Sequence, residues 1–209
     1  MKKCLYTICV DNYFPELMRY TLPNLANYAQ KIEAQFHIIT ERKFPDFPPT
    51  YEKMQIYELG KGNDWNILVD ADSMFYPGMF DPTIMVPPDH VGYYMSFDAS
   101  LLFECDQYFF RDGRNMGVAS NFMCVPRACH DLWTPLEFSA EIAKTKTKRW
   151  FIVDEYCISR NLARFGLKHT GILDGEFQKL LTHFDVNTVS PNKEEVIARA
   201  KKYHEEWKW

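Results

Sequence analysis

The stretch Trp65-Asn66-Ile67-Leu68-Val69-Asp70-Ala71-Asp72-Ser73-Met74-Phe75 decides how this chain is read. Its centre, Ile67-Leu68-Val69, is a short apolar run with the branched side chains of a buried strand, and residues two apart on a strand point to the same side. Asp70 and Asp72 are therefore expected to leave the sheet edge together. Two hard oxygen ligands at the C-terminal end of a strand suit Mg²⁺ or Mn²⁺, and in open α/β sheets that edge is where ligands bind. An isolated Asp-x-Asp reads equally well as a cap beside a solvated carboxylate, so the flanking sequence has to decide.

Upstream, residues 4–10 form a first strand, and Pro15 opens a helix over 15–31. Gln35–Thr40 is a second strand. Prolines 45, 48 and 49 then interrupt the chain, and Thr50 reads as the N-cap of a helix over 51–59 that stops near Gly60. With the Asp-x-Asp strand the order is β-α-β-α-β, which predicts an α/β fold with a mostly parallel central sheet and helices on both faces. Downstream, Val91–Phe97 and Asn121–Val125 read as strands separated by the aromatic segment 103–117, with helices over 127–143 and 153–165. Ser190-Pro191 reads as the start of a helix that carries Val196, Ala200, Tyr203 and Trp207 on one face. That helix is expected to dock on its own domain, with contact to an acceptor or partner through Tyr203–Trp209 as the alternative.

A chain of 209 residues is long enough for one well-cored domain and short for two. The formal net charge of −4 and the sequence pI near 5.9 give no general attraction to nucleic acid or anionic lipid, so neither is an expected partner. Six cysteines form no Cys-x-x-Cys pair, which fits reduced thiols and a cytoplasmic setting. No stretch approaches the length of a transmembrane segment, and no cleavage site follows the basic start.

Three segments in order, Thr7–Tyr13, Tyr51–Leu59 and Trp65–Phe75, together resemble the nucleotide-sugar half of GT-A glycosyltransferases, and are most similar to the glycogenin and bacterial galactosyltransferase family. The resemblance continues more weakly through Asp154-Glu155 and Thr182-His183-Phe184. It implies a single GT-A-type, Rossmann-like domain over 1–209, with a nucleotide-binding half over 1–100 and an acceptor half with the terminal helix over 101–209. The implied activity is transfer of a sugar from a nucleotide-diphosphate donor, UDP-linked by resemblance, to an unidentified hydroxyl acceptor, with the retaining outcome of that family.

The same resemblance assigns roles. Asp70 and Asp72 bind the divalent ion, Mn²⁺ or Mg²⁺, on the donor diphosphate, and His183 is the third metal ligand. With the ordinary imidazole pKa, metal binding would weaken below about pH 6.5. Thr7, Val10, Asp11 and Tyr13 fall where the family meets the nucleobase, Tyr13 as a stacking ring, while Lys53 faces the donor and Asp70 also approaches the ribose. Asp154, Glu155 and Asn121 are the catalytic candidates: a carboxylate must take the proton of the acceptor hydroxyl, and Asn121 falls where the family carries an Asn that binds donor hydroxyls, with Asn115 as the alternative that fits the strand less well. Glu155 stands where the family has Gln. The family's Gly and Lys-Pro-Trp after the histidine are absent, with Lys193 or Lys179 as substitute cations. Tyr108, Phe109, Phe110, Arg111 and Arg114 read either as an acceptor flap or as cover for the core. Two other classes share the Asp-x-Asp: a haloacid-dehalogenase phosphatase with Asp70 as nucleophile, and a non-catalytic nucleotide-sugar binder. Met74 and the third-strand position of the motif count against the phosphatase.

Overall fold

The computed structural model describes residues 1–104, 107–109, 111, 113–114, 116–172, 179–185 and 192–209. Strand β1 (Lys3–Ile8) runs parallel to both β2 (Ala34–Ile39) and β3 (Trp65–Val69), with Tyr6 level with His37 on one side and Leu68 on the other. Helix α1 (Pro15–Lys31) makes the crossover, and Leu17, Thr21, Leu25 and Tyr28 bury the face it presents to the sheet. A 3₁₀ helix over Pro49–Gln55 and the short α2 (Ile56–Leu59) lead into β3, which is buried along its whole length.

Beyond β4 (Ser73–Phe75) follow β5 (His90–Tyr93), β6 (Ser96–Asp98), β7 (Met116–Val118) and β8 (Phe122–Pro126). The chain continues through α3 (Ala140–Lys144), α4 (Val153–Arg164), β9 (Lys168–Gly171), β10 (Leu181–His183) and α5 (Lys193–Glu206). The main sheet has six strands in the order β2-β1-β3-β8-β5-β9, and all but β8 run the same way. Both faces of this sheet are covered. Leu5, Ile67, Val69, Phe122 and Cys124 join one core, whereas Tyr6, Leu68, Met123 and Val125 join the other, so the alternating side chains of three strands are apolar in both directions. A sheet buried on both faces requires such continuous apolar strands, and the burial drives the fold at roughly 25 cal/mol per Å² of apolar area.

The α/β reading, a mostly parallel sheet covered on both faces, holds, and several local expectations are corrected. Residues 51–59 are not one α-helix: Pro48 and Pro49 start a 3₁₀ turn, and the Thr50 hydroxyl donates to the Phe151 carbonyl instead of capping it. The segment 127–143 is a 3₁₀ helix over Arg127–Trp133 followed by a separate α3, because Pro135 follows a break at Thr134. The run Val91–Phe97 splits between β5 in the main sheet and β6, which among the described residues pairs with β7. Ser190 and Pro191 lie outside the described residues. The described start of α5 is capped by Asn192, whose side-chain oxygen accepts from the Glu194 and Glu195 amides. The face chosen for that helix is the one that docks, with Val196 and Ala200 buried beside Leu17 and Met18, and Tyr203 and Trp207 at the margin.

Among the described residues no helix is long and apolar enough to cross a membrane. The five described cysteines are free thiols, four of them buried, as expected of small apolar side chains.

Candidate functional site

Asp70 and Asp72 follow β3 directly, where the Asp70 amide still donates to the Asn121 carbonyl, as the last rung between β3 and β8. They converge through a turn at 70–72 rather than through strand alternation, because β3 ends at Val69. His183 arrives from far along the chain. β10 pairs antiparallel with β4, with Leu181 opposite Phe75 and His183 opposite Ser73, and the Phe184 amide closes on the Asp72 carbonyl at 2.9 Å. This short ribbon fixes the imidazole beside the turn: His183 Nε2 lies 3.2 Å from Asp72 Oδ1 and 3.6 Å from Asp70 Oδ2. One ligand atom from each of the three residues lies within 4.8 Å of the others.

This donor set fits a divalent ion. Neighbouring ligands of an octahedral ion at ~2.1 Å stand roughly 3 Å apart, close to the imidazole–carboxylate separations here. The electrostatics point the same way. Four carboxyl groups, Asp70, Asp72, Asp154 and Glu155, gather around Lys53 and His183, and burial raises the Asp70 carboxyl in spite of the pull of Lys53 and His183. A bound cation would relieve that excess of negative charge.

Lys53, buried in the 3₁₀ turn, links this cluster to the second acidic pair. Its ammonium lies 2.8 Å from Asp70 Oδ1, 3.0 Å from Asp154 Oδ2 and 2.7 Å from Ser120 Oγ, and Ser120 in turn donates to Asp154 Oδ2 at 2.7 Å. Burial alone would discharge the lysine, but the charges of Asp154 and Asp70 outweigh it and hold the ammonium above its ordinary range. Asp154 and Glu155 occupy the first turn of α4, where a negative charge is also favoured by the helix dipole. Glu155 Oε1 accepts from the Ser120 amide at 3.1 Å. Burial, then the Asp154 charge, pushes its carboxyl up to about 8. Asn121 is buried at the end of the same segment, and its Oδ1 has no partner, an orphaned acceptor beside the cluster.

The residues assigned to the nucleobase are divided. Tyr13 reaches the metal cluster, its hydroxyl donating to Asp72 Oδ2 at 3.2 Å. Thr7 and Val10 are buried, Val10 within the core. Asp11 is exposed and held by Arg42 Nη1 at 2.6 Å. Arg42 and Ser120 were not singled out in the sequence. Arg42 also reaches Glu52 and the Phe47 carbonyl, tying the 42–47 loop to β1's exit, and nothing local in the sequence marks it. Ser120 adjoins Asn121, which is its one sequence signal.

In the aromatic segment Phe109 is buried against Phe103 and Tyr156, Arg114 donates to the Ser159 carbonyl, and Tyr108 lies against Arg160 and Arg164. These residues cover the core. Phe110 and Asn115 lie outside the described residues. Lys193 sits 5.2 Å over the Phe14 ring, near the α1 entrance.

No family model and no curated protein matches the sequence. Solved structures do resemble it. A glycosyltransferase involved in the glycosylation of the major capsid of PBCV-1 superposes with a TM-score of 0.58 over 97% of this chain and all (100%) of its own length, at 8% identity. The galactosyltransferase LgtC, solved in complex with donor and acceptor sugar analogs, superposes with a TM-score of 0.53 over 95% of each chain, at 12% identity. The chain has the GT-A fold, with the acidic Asp70–Asp72 pair at the carboxyl edge of its parallel strands.

Proposed function

We propose that the protein is a metal-dependent glycosyltransferase that uses a nucleotide-diphosphate sugar, UDP-linked by sequence resemblance. The observation that carries this reading is the convergence of Asp70, Asp72 and His183 at the sheet edge of a GT-A fold. Fold alone does not fix function, so the weight rests on the site.

Asp70, Asp72 and His183 would hold the ion, and the imidazole among carboxylates favours Mn²⁺ over Mg²⁺. Bound there, the ion would neutralise charge accumulating on the departing diphosphate. Lys53 holds Asp70 and Asp154 in place through its two ion pairs. Asp154 is committed to Lys53 and Ser120, so it positions rather than accepts a proton. Glu155, poised near about 8, is the better match for exchange of the acceptor hydroxyl's proton close to neutrality. The orphaned Asn121 Oδ1 would accept from a sugar hydroxyl, and Tyr13 would steady Asp72 while presenting its ring to the nucleotide. In this reading residues 1–100 supply most of the donor site, completed by His183, and the later segment supplies the acceptor contact, within one domain. The phosphatase reading has no comparable support, since the solved structures resembling the chain are glycosyltransferases.

A thermal-shift series tests the proposal. UDP, UDP-glucose and UDP-galactose with Mn²⁺ are expected to stabilise the protein, by about 2.7 kcal/mol at a concentration 100 times Kd, and to lose that effect in excess EDTA. Equal stabilisation with and without EDTA, or stabilisation only by phosphomonoesters that are also hydrolysed, would sink it.

A separate expectation concerns Glu155. Its carboxyl is raised from 4.5 to about 8 in the folded chain, so the folded state binds the proton more tightly than the unfolded one and stability drains away as pH rises from about 4.5 through about 8. Glu155→Gln is expected to match the native protein at pH 5 and exceed its stability by more than about 1 kcal/mol at pH 8.5. Urea denaturation at the two pH values measures this, and an equal effect at both would contradict the raised carboxyl.

A further inference from the structure

One cleft among the described residues stands apart from the acidic cluster. It lies between α1 and the end of α5, has a volume of about 730 Å³, and is bordered by Asn27, Gln30 and Lys31 on one side and Trp207, Lys208 and Trp209 on the other. That volume falls within the range of about 300–1,000 Å³ usual for small-ligand sites. Asp72 and Pro77 are five positions apart, so the cleft stands at most roughly 17 Å of extended chain from the metal cluster, beyond the far end of β4. Asn24 ties its floor to that strand, donating to the Phe75 carbonyl and accepting from the Phe75 amide.

Three chemical features coincide here. The first is a held aromatic platform: Trp207 stacks on Tyr203 with ring centres 4.4 Å apart, while Trp209, 41% exposed, has Tyr28 at its edge and the Lys31 ammonium 5.9 Å from its ring centre. Fixed indoles offer a broad apolar surface at little conformational cost, the kind of surface on which the C–H face of a sugar ring rests. The second is unspent amide capacity. Asn27 and Gln30 are exposed and their side chains make no hydrogen bond among the described residues, so each can donate and accept at once, as vicinal hydroxyls require. The third is charge: Lys31 and Lys208 border the cleft and no side-chain carboxylate does, and Lys31, which donates to the Pro77 and Met79 carbonyls, keeps one of its three N–H donors for a ligand. The adjacent Glu205 and Glu206 face Lys201 and Lys202 one turn back. On a chain of net charge −4 this is a local positive surface.

We propose that the cleft between α1 and the end of α5 binds an acidic saccharide, its ring faces on Trp207 and Trp209, its hydroxyls on Asn27 and Gln30, and its carboxylates on Lys31 and Lys208. The proposal does not rest on the transferase reading. Its primary readout, saccharide binding, needs no turnover and no metal; Mn²⁺-dependent UDP binding serves only as the control on the variants.

Calorimetry of the full chain with tetragalacturonate at pH 7 and low salt is the experiment, with maltotetraose as the neutral counterpart, and a thymidine tetranucleotide and phosphatidylserine vesicles as other anions. The expected result is tetragalacturonate binding with a Kd of about 0.1–1 mM, at least about tenfold tighter than maltotetraose. Trp209→Ala and Lys208→Glu, both at exposed side chains, are each expected to weaken it by about tenfold while Mn²⁺-dependent UDP binding stays as in the native protein. Absence of tetragalacturonate binding at 10 times that concentration range, binding that ignores both variants, equal affinity for maltotetraose, or binding of the oligonucleotide or vesicles in place of the saccharide would each overturn the proposal.

Discussion

Replacing Lys53 by Met is expected to destabilise the protein by about 3–5 kcal/mol at pH 7.5 and to abolish Mn²⁺-dependent nucleotide binding. The size follows from what the ammonium leaves behind: Asp70 and Asp154, 2.8 and 3.0 Å away, share this one lysine, and removing one member of a buried ion pair strands the other charge in a medium that solvates it poorly. Ser120 Oγ would lose its donor and keep only its own bond to Asp154. The sign of the pH dependence separates this mechanism from loss of packing. Burial already raises the Asp70 carboxyl against the pull of Lys53, so without Lys53 it rises further above its unfolded value of about 3.9, and the penalty grows as pH rises through that window and shrinks in acid as the folded protein takes up a proton. Urea denaturation at pH 5 and 7.5 reads the difference. A loss of the same size at both values would make Lys53 a packing residue and remove the electrostatic account of the site.

Much of this site was legible in local sequence, and the illegible part has a physical cause. Asp70 and Asp72 stand out because a fully buried strand needs an unbroken apolar run, and two charges at its end break the pattern visibly. The crossover helix was equally plain, since Pro15 marks its start and a 17-residue amphipathic face follows. By contrast, Lys53 lies in a turn that prolines force into 3₁₀ geometry, so its direction could not be read from α-helical spacing, and its partners sit 17, 67 and 101 positions away in Asp70, Ser120 and Asp154. His183 was reached through family resemblance alone. What places it is the register of β10 on β4, two three-residue strands too short to carry a periodic signal. Tyr13 was assigned to a nucleobase by position, and the structure adds its hydroxyl bond to Asp72, which depends on the left-handed backbone at Asp11, Asn12 and Phe14 that turns the chain into α1. Such φ values fall on residues that are not glycine, so composition gives no warning of them.

Mn²⁺ uptake is expected to expel about one proton at neutral pH and to tighten roughly tenfold per pH unit up to about 9, rather than to fade only below about pH 6.5. Burial would lower the His183 imidazole, but its hydrogen bond to Asp72 and the charges of Asp72, Asp70 and Asp185 outweigh burial and hold it at about 9. The metal-free site therefore carries an imidazolium that partly neutralises the aspartates, and a ligating nitrogen has to be deprotonated before it can bind a metal. Ion and proton compete for the same pair of carboxylates. Calorimetry at pH 6.5, 7.5 and 8.5 in buffers of different ionisation enthalpy counts the released proton directly. Two variants apportion the effect. His183→Ala removes a ligand and the competing proton together, so its Mn²⁺ affinity is expected to be lower than native at pH 8.5 and nearly flat with pH. Asp72→Asn removes a ligand but leaves the imidazole with its main partner neutralised, so the His183 ring, followed by NMR, is expected to titrate well below about 9 while Mn²⁺-dependent UDP binding disappears. Native affinity that is unchanged between pH 6.5 and 8.5, or an Asp72→Asn protein that binds Mn²⁺ and UDP as the native chain does, would separate His183 and Asp72 from the metal and leave Asp70 with no complete site.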